Sequence, residues 1–365
     1  MEIFSIMKKL LIINKVQFGY HIDSYKYCQY LKNNFDITYL CFDTGKQKVQ
    51  EENINIIYIP HEKTFLNKGF NFIKICRHQI KHQNYDIVFI VHFLMSSFIK
   101  IGIMHQKFIL DIRTNSVNTN KYKRFIHDQI LKIDSLFFKN ITIISECLKK
   151  KLKISEAHIL PLGSDPITST DKKYINMHLL YVGTLNGREI HKTITGLAQF
   201  ISYYKTKNFP LVVTYDIIGY GKDYEEKQII DTIQKYNLMH IITFHGRKTH
   251  SELTPFFKKA NIGISYVPNQ EHFRCQPPTK TFEYINSGLF CIATNTDANK
   301  NLISQENGLI CEDSVDSFYN SLLKFQQVKS QINTQAIRKT LKDYHWNKII
   351  TNNLYCYLTL IGNKS

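Results

Sequence analysis

The stretch PPTKTFEYINSG, at residues 277–288, sets a lysine and a glutamate three positions apart directly behind two prolines. Prolines are tolerated at the start of a helix, and Gly288 is suited to the left-handed cap that ends one. Free amides at a helix start favour an anion, so Thr279 and Lys280 are candidates for binding a phosphate. Lys280 and Glu283 share one helical face, and the alternative interpretation is a plain surface ion pair.

A second candidate site lies in VGTLNGREIHK, residues 182–192, which follows an apolar run. Gly183 and Gly187 allow a close backbone approach by a ligand. Arg188 and Lys192 are four positions apart, which predicts one helical face and a cradle for a pyrophosphate. The stretch is neither the G-x-G-x-x-G dinucleotide fingerprint nor a P-loop.

Two more glycine turns follow apolar runs in the same half of the chain. IIGYG contains Gly219, and FHGR contains Gly246 and Arg247. Each turn alone is weak evidence. Together with the first two stretches they predict one anion site built from the loops of several neighbouring strands.

The N-terminal half has fewer candidates. Gly19 and His21 follow the first apolar run, His92 ends the fourth, and Asp111 lies in the fifth. These residues are candidate ligand contacts of the first half of the chain. The alternatives are a turn glycine with Asp23 as a helix cap, and a structural histidine.

Thirteen short apolar runs alternate with helical stretches, which predicts parallel sheets covered by helices on both faces. The seven runs of the first series are 9–14, 36–42, 54–60, 86–93, 107–114, 141–145 and 158–163, and the six of the second are 178–184, 211–219, 240–246, 261–268, 289–294 and 308–312. We therefore predict an α/β protein with two doubly wound, Rossmann-like domains facing across a cleft. Ligands in such sheets bind beyond the carboxyl ends of the strands.

The polar stretch SDPITSTDKKYIN is predicted to separate the two domains. The predicted divisions are a first domain at 1–165, a linker at 166–176, a second domain at 177–340, and a C-terminal helix at 341–365 that packs back on the first domain.

Composition narrows the class of partner. The chain has 47 Lys and Arg against 30 Asp and Glu, a net charge of +17 that favours anionic partners. Its eight cysteines form no C-x-x-C pair, which disfavours a zinc site. No D-x-D triplet or carboxylate cluster indicates a bound divalent metal, and no apolar run is long enough to span a bilayer.

The second half resembles the retaining GT-B glycosyltransferases, specifically glycosyltransferase family 4. The resemblance rests on LLYVGTL, DIIGYGKDYEE, ITFHGRKTHSELTPFFKKANIGISYVP, PPTKTFEYINSGLFCIATNT and ENGLICED, in this order over residues 178–325. The first half is similar more loosely, through FGYHIDSYKYCQYL, DIVFIVH, ITIISECLKKKL and HILPLGSD.

The resemblance implies a role for each site residue. Glu283 would hold the nucleotide ribose, and the loop before it would meet the phosphates and sugar. Arg188 and Lys192 would neutralise the pyrophosphate, and His92 would lie near the transferred sugar. The second domain would bind the nucleotide-sugar, and the first would bind the acceptor. The residues assigned to acceptor binding are Gly19, His21 and Asp111. Members of the family commonly carry a second glutamate eight positions before the ribose-binding one, where this chain has Cys275.

The expected function is transfer of a sugar, with retained configuration, from a nucleotide-sugar to a sugar or lipid-linked acceptor. The resemblance also implies bacterial surface-polysaccharide synthesis, no cofactor and no metal. The alternatives are another GT-B enzyme, such as a nucleotide-sugar epimerase, and a basic nucleic-acid-binding protein. Against the latter, the chain has no RNA motif that interleaves aromatic and basic residues.

The expected location is cytoplasmic, with peripheral attachment to the inner, anionic face of the cell membrane. The first 165 residues carry about 24 of the basic residues against 14 acidic ones. Part of this charge lies in FLNKGFNFIKICRHQIKH, residues 65–82, where apolar residues recur at near-helical spacing. The apolar residues of this pattern are Phe65, Leu66, Phe70, Ile73 and Ile80, and the basic ones are Lys68, Lys74, Arg77 and Lys81. This pattern predicts either a lipid-binding helix or an ordinary helix packed on the core.

Overall fold

The computed structural model describes residues 7–60, 65–118 and 120–363, with the side chains of 65–68 also outside the description. The chain divides into two compact units. Unit 1 comprises residues 1–162 together with 346–365, and unit 2 comprises residues 163–345. The segment 166–176 belongs to unit 2, where the Ile167 amide donates to Ser287 Oγ and the Lys172 amide to Thr334 Oγ1.

Unit 1 contains a seven-stranded sheet in which every pairing is parallel. Its strands are β1 Lys8–Ile13, β2 Phe35–Asp43, β3 Ile54–Pro60, β4 Ile87–Val91, β5 Phe108–Ile112, β6 Asn140–Ile143 and β7 His158–Ile159. The spatial order β3-β2-β1-β4-β5-β6-β7 reverses its direction of growth between β1 and β4. In a doubly wound sheet, this reversal marks the edge where ligands bind.

The helices of unit 1 begin where the sequence supplies a cap. The Asn120 side chain accepts from the Tyr122 and Lys123 amides, and the Ser145 side chain accepts from the Leu148 amide. The α-helices are α1 Ile22–Leu31, α2 Phe65–His82, α3 Lys121–Leu136 and α4 Glu146–Leu152. A 3₁₀ turn at Ser96–Ile99 follows β4.

Unit 2 contains a six-stranded sheet that is also parallel throughout. Its strands are β8 Met177–Thr184, β9 Val213–Tyr220, β10 Ile242–Phe244, β11 Ile262–Ser265, β12 Phe290–Thr294 and β13 Gly308–Cys311. The order β10-β9-β8-β11-β12-β13 places the reversal between β8 and β11. All thirteen predicted strands are therefore present, and the predicted pair of doubly wound α/β sheets is confirmed.

Helices connect and follow these six strands. Those of unit 2 are α5 His191–Thr206, α6 Asp223–Lys235, α7 Thr254–Lys259, α8 Thr279–Asn286, α9 Asp297–Lys300, α10 Val315–Val328 and α11 Thr334–Thr340, and 3₁₀ turns lie at His250–Leu253, Lys329–Gln331 and Lys342–Tyr344. The C-terminal segment returns to unit 1 as α12 Trp346–Ile349, a π-helical turn Ile350–Leu354 and α13 Tyr355–Asn363. Trp346 is buried there against Tyr27.

Central strands are buried on both faces, as their continuous apolar composition predicts. Every residue of β4, β5 and β12 is buried. One exception to the apolar rule is Gly263 in β11, where an added Cβ would lie 2.3 Å from the Tyr284 ring. Because Gly263 has no side chain, the Tyr284 ring of α8 can pack directly against the sheet, where it is buried.

The helix α2 packs much of its apolar side into the core of unit 1. Phe72, Ile73, Cys76 and Ile80 are buried, whereas Phe70 is exposed. Core packing therefore explains Ile73 and Ile80, and a lipid-facing role for those two residues is wrong. The predicted contributions of Phe65, Leu66 and Lys68 lie outside the described side chains. Among the helices of the described ranges, none is long and apolar enough to cross a membrane.

Candidate functional site

Three glycines mark the carboxyl edge of the second sheet. Gly183 at the end of β8 pairs with Gly219 in β9, and the Gly219 amide donates to the Gly246 carbonyl at 2.9 Å. A Cβ on Gly219 would lie 2.2 Å from the Gly183 carbonyl oxygen, which no side chain tolerates. Gly246 has a φ of +65°, which favours glycine. The glycine turns singled out in the sequence thus lie side by side.

The loop after β8 is held in shape by Glu225 of α6. Its Oε1 accepts from the Gly187 amide at 2.6 Å, and its Oε2 accepts from the Lys222 amide at 2.9 Å. Gly187 has a φ of +61°. Sequence reasoning missed Glu225, although a glutamate three residues after a helix-start position is a known capping pattern. The carboxylate therefore fixes both the helix start and the loop that carries Arg188.

Arg188 lies in this loop and not on a helix. Its guanidinium stacks over the Phe273 ring, with Cζ 3.9 Å from the ring centroid. Its Nη1 is buried without a hydrogen-bond partner in the described part of the chain. Burial lowers the pKa of Arg188, against an opposing effect of Tyr181. A buried cation with an unused hydrogen-bond donor is unfavourable until it is paired, so a bound anion would stabilise this guanidinium.

Lys192 lies in the first turn of α5, which begins at His191. The prediction that Arg188 and Lys192 share one helical face is therefore wrong. Glu189 stands between them in the left-handed region, at a φ of +52°, and separates the loop from the helix.

The Lys192 ammonium is already paired. It contacts Glu189 at 2.7 Å and Asp313 at 3.0 Å. Burial opposes its charge, but hydrogen bonds to these carboxylates raise the pKa of Lys192. Asp313 also accepts from the Tyr266 hydroxyl at 2.7 Å. Of the predicted basic pair, Arg188 is thus the member with donor capacity left for a ligand.

The helix α8 brings Lys280 and Glu283 together, as the sequence predicts. Their side chains form an ion pair, and Glu283 is buried with only 7% of its surface exposed. Pro278 is the N-cap residue and Thr279 the first helical residue. Gly288 follows the helix at a φ of +80°, as its predicted capping role requires.

Arg188 and Glu283 come from the two sides of the reversal in the second sheet. Arg188 follows β8, and Phe273 and Glu283 follow β11, its neighbour in the sheet. The stacking of Arg188 on Phe273 joins these two loops. The geometry therefore gathers a cation, an aromatic ring and a buried acid where doubly wound sheets bind ligands.

Two further positions of the second unit were singled out in the sequence, Arg247 and Cys275. Arg247 is exposed and stacks over Tyr220 at 4.7 Å. Cys275, which stands where relatives carry a sugar-contacting glutamate, is buried in the loop after β11. A cysteine sulfur offers none of the acceptor capacity of a carboxylate.

In unit 1, His92 follows β4 at the reversal of the first sheet. Its Nε2 contacts Asp134 Oδ2 of α3 at 3.2 Å. Asp134 also accepts from the Met95 amide and from the Ser97 amide and hydroxyl. Burial opposes its charge, but the bonds from His92 and Ser97 hold the pKa of Asp134 below its usual value. The carboxylate thus fixes the ring and the loop together, a contact that no sequence pattern indicated.

Gly19 and His21 follow β1, on the other side of that reversal. Gly19 has a φ of +87°, and a Cβ there would lie 2.5 Å from Val49. His21, not Asp23, caps α1, since its Nδ1 accepts from the Ser24 amide at 3.3 Å. Burial lowers the pKa of His21, which favours the neutral ring that a cap needs. The alternative interpretation, in which Asp23 caps α1, is therefore wrong on that point.

Asp111 lies inside β5 and has no exposed surface. Its Oδ1 accepts from the Thr142 hydroxyl at 2.8 Å, and Arg113 lies 3.9 Å away. Arg113 itself pairs with Asp23 at 2.6 Å. Burial raises the pKa of Asp111 to about 6. As placed, Asp111 belongs to a buried charge cluster, and it is not positioned to contact an acceptor.

No three His, Cys, Asp or Glu side chains of the described ranges come together in a way that could hold a metal ion. The site in unit 2 instead presents a buried guanidinium, loop amides and one buried carboxylate. These groups can bind a phosphorylated ligand that also carries hydroxyls.

Residues 176–327 match the family model described as glycosyl transferases group 1. The matched residues lie in the second unit, which is therefore similar to the group 1 glycosyltransferases. All the groups gathered around Arg188 and Glu283 fall within these matched residues. No curated protein matches this sequence.

Solved structures show the same fold as this protein across nearly its whole length. Sucrose-phosphate synthase from Thermosynechococcus elongatus is similar with a TM-score of 0.76 at 14% identity, covering 98% of this chain and 100% of that one. The Anabaena protein HepE in complex with UDP and glucose gives 0.75 at 11%, covering 97% and 100%. The lipopolysaccharide outer core galactosyltransferase WaaB gives 0.68 at 15%, covering 96% and 100%. The α/β architecture is thus that of GT-B glycosyltransferases.

Proposed function

We propose that this glycosyltransferase moves a sugar from a nucleotide-sugar to an acceptor hydroxyl with the anomeric configuration retained. The observation that carries the proposal is Arg188, a largely buried guanidinium with an unpaired Nη1 at the ligand-binding edge of the second sheet. The diphosphate of a nucleotide-sugar supplies the missing anion. As the sugar leaves, charge grows on that diphosphate, and a prepositioned cation stabilises it.

Glu283 is proposed to bind the nucleotide ribose. Lys280 contacts its Oε2, and Oε1 has no hydrogen bond from the described residues. An unpaired carboxylate oxygen of this kind accepts well from a ribose hydroxyl. Gly183, Gly219 and Gly246 are the proposed donor-binding glycines. An added Cβ at Gly246 would meet no atom within 4 Å, so a ligand can approach the backbone there. Thr279 and Lys280 supply amides at the start of α8. The HepE structures with UDP and with UDP-glucose support a donor of this chemical class.

The test is calorimetry with a panel of nucleosides, nucleoside diphosphates and nucleotide-sugars. We expect the diphosphates to bind more tightly than the matching nucleosides in the wild type. In Arg188→Gln that advantage should shrink, while nucleoside binding stays unchanged. Equal binding of nucleoside and diphosphate by the wild type would refute the proposed donor site.

Retention, and catalysis without a metal or cofactor, complete the proposed chemistry. In this mechanism the acceptor attacks the face that the diphosphate leaves, and the leaving phosphate accepts the acceptor's proton. Arg188 stabilises the leaving group, as a metal ion would otherwise do, and His92 is proposed to contact the transferred sugar. The configuration of the new bond, read by NMR of the product, and activity in EDTA test these two points separately.

The proposed acceptor is a sugar or a lipid-linked sugar in bacterial surface-polysaccharide synthesis, at the inner face of the membrane. The likeness in fold to the outer core galactosyltransferase WaaB and the net charge of +17 support this assignment. Gly19 and His21 are the proposed acceptor contacts of unit 1. Comparing turnover with a free sugar and with the same sugar on a lipid carrier tests the class of acceptor.

A further inference from the structure

The helix α3 turns its apolar side to solvent. Five large apolar side chains recur along it at helical spacing, and all are more than half exposed: Tyr122 at 82%, Phe125 at 63%, Ile126 at 55%, Ile133 at 56% and Leu136 at 83%. Only Gln129 interrupts the stripe. A helix of a globular protein normally presents the opposite side to water.

The buried side of α3 is partly polar. Asp134 and Ser135 are buried there together with Leu131. Asp134 is anchored by the Met95 amide and by Ser97, and these bonds fix which side of the helix faces inward. The exposure of the apolar stripe is therefore imposed by specific polar contacts on the other side.

The apolar surface continues beyond the helix. The neighbouring segment after β4 exposes Phe98, Ile101 and Met104, the last at 88%. Lys100 of this segment donates to the Phe137 carbonyl, which brings the segment to the end of α3. We call the combined region, made of the exposed residues of 98–104 and 122–137, the α3 surface. Soluble proteins seldom leave such a continuous apolar surface uncovered without a partner.

Charge identifies the chemistry of that partner. Residues 95–139 contain eight Lys and Arg against three Asp. Asp111 and Asp134 are buried, and Asp128 is half-buried and accepts from the Ser116 amide. Lys121, Lys123 and Lys139 are exposed at the two ends of the helix. Apolar side chains bordered by lysines fit the boundary between anionic headgroups and acyl chains.

We propose that the α3 surface is where this protein docks on an anionic lipid bilayer. The inference rests on the proposed membrane location and assigns that location to residues. The α3 surface takes the membrane-binding role that the sequence suggested for α2, because the apolar side of α2 packs largely into the core. Asp134 joins the inner side of α3 to His92 at 3.2 Å, so the docking helix also supports a proposed sugar contact.

The experiment is sedimentation of the full chain with vesicles of phosphatidylcholine containing increasing phosphatidylglycerol. Wild-type binding should rise with the anionic fraction and fall with salt. The double variant Phe125→Ser/Leu136→Ser should bind roughly tenfold or more weakly, because two apolar side chains no longer enter the bilayer. Phe209→Ser/Met239→Ser is the matched control, since both residues are more than 60% exposed in unit 2. The control should bind as the wild type does.

A second pair of variants separates the charge from the apolar contribution. Lys121→Glu/Lys123→Glu should abolish the preference for phosphatidylglycerol, and the control Lys205→Glu/Lys207→Glu should keep it. In Leu136→Trp, brominated lipids should quench the added fluorescence. The chain's one tryptophan, Trp346, is buried, so brominated lipids should leave its fluorescence unchanged.

Each outcome decides a different point. If Phe125→Ser/Leu136→Ser binds vesicles as tightly as the wild type does, the role of α3 is wrong and the membrane location still stands. A wild type that binds no vesicle would overturn both, and calorimetry with nucleoside diphosphates would still report on glycosyl transfer. A wild-type mass of twice 43.0 kDa in sedimentation equilibrium, reduced to one chain by the α3 variant, would show instead that the surface joins two copies.

Discussion

The Arg188 guanidinium lies over the Phe273 ring, with Cζ 3.9 Å from the ring centroid, and its buried Nη1 has no partner among the described residues. The contact joins the loop after β8 to the loop after β11. The ring supports the charge from one side and keeps water away from it. The guanidinium is therefore held ready for an anion at the edge where the order of strands reverses.

Replacing Arg188 should impair catalysis more than folding. Arg188→Ala should lower kcat by about 100-fold or more, since losing one positioned donor to a developing charge costs about 3 kcal/mol. The melting temperature should change little, because the guanidinium forms no ion pair with a described residue. Arg274→Ala is the control, as this exposed arginine pairs only with Asp297 on the surface. Wild-type turnover in Arg188→Ala would contradict its role.

Glu283→Gln should weaken donor binding while preserving shape. A hydrogen bond to a charged group contributes about 1.5–3 kcal/mol, so affinity for the nucleoside diphosphate should fall roughly tenfold or more. Calorimetry measures the change. Glu252→Gln serves as control, because this exposed glutamate also pairs with a nearby lysine, Lys248. If both variants bind the nucleotide as the wild type does, the ion pair with Lys280 is only structural.

His92→Ala should lower turnover and leave nucleoside diphosphate affinity unchanged, since His92 belongs to unit 1 and the nucleotide groups to unit 2. Activity and calorimetry on the same preparation measure both. A variant that fails to fold would show that His92 is a core residue.

Asp134→Asn should lower the stability of the fold at neutral pH but not in acid. The low pKa of Asp134 means that its ionised form stabilises the fold above the unfolded pKa near 4. That stabilisation disappears as the pH falls through the folded pKa. Asp134→Asn should therefore melt lower than the wild type at pH 7, and the two should converge in acid. A melting difference that stays constant from pH 7 to pH 3 would contradict this prediction.

Asp111 should have the opposite pH dependence. Its folded pKa of about 6 lies above the unfolded value near 4, so between these pH values the folded state binds more protons. Wild-type stability should fall as the pH rises through this range and stay level above it, by up to about 3 kcal/mol. Asp111→Asn removes this fall, and denaturation measured across pH should show it. Asp36→Asn, at an exposed position, should keep the wild-type profile.

The strands were predictable because their cause is local. Runs such as DIVFIV and LFCIAT are apolar along their whole length, which is typical of strands buried on both faces. The caps were predictable for the same reason where one residue decides, as at Gly288. They failed at α1, where His21 and Asp23 compete, because Asp23 is taken by Arg113, ninety positions away.

The candidate site divides along the same line. The sequence alone determined that Lys280 and Glu283 share a helical face, since three positions make nearly one turn. Only the tertiary structure decided that Lys192 is neutralised by Asp313 and that Arg188 rests on Phe273, because these partners come from distant loops. Periodicity likewise marks α2 and α3 alike as amphipathic. Whether the apolar side of such a helix is covered depends on its tertiary contacts. In α3 the hydrogen bonds of Asp134 hold the polar side inward, so the apolar side faces solvent.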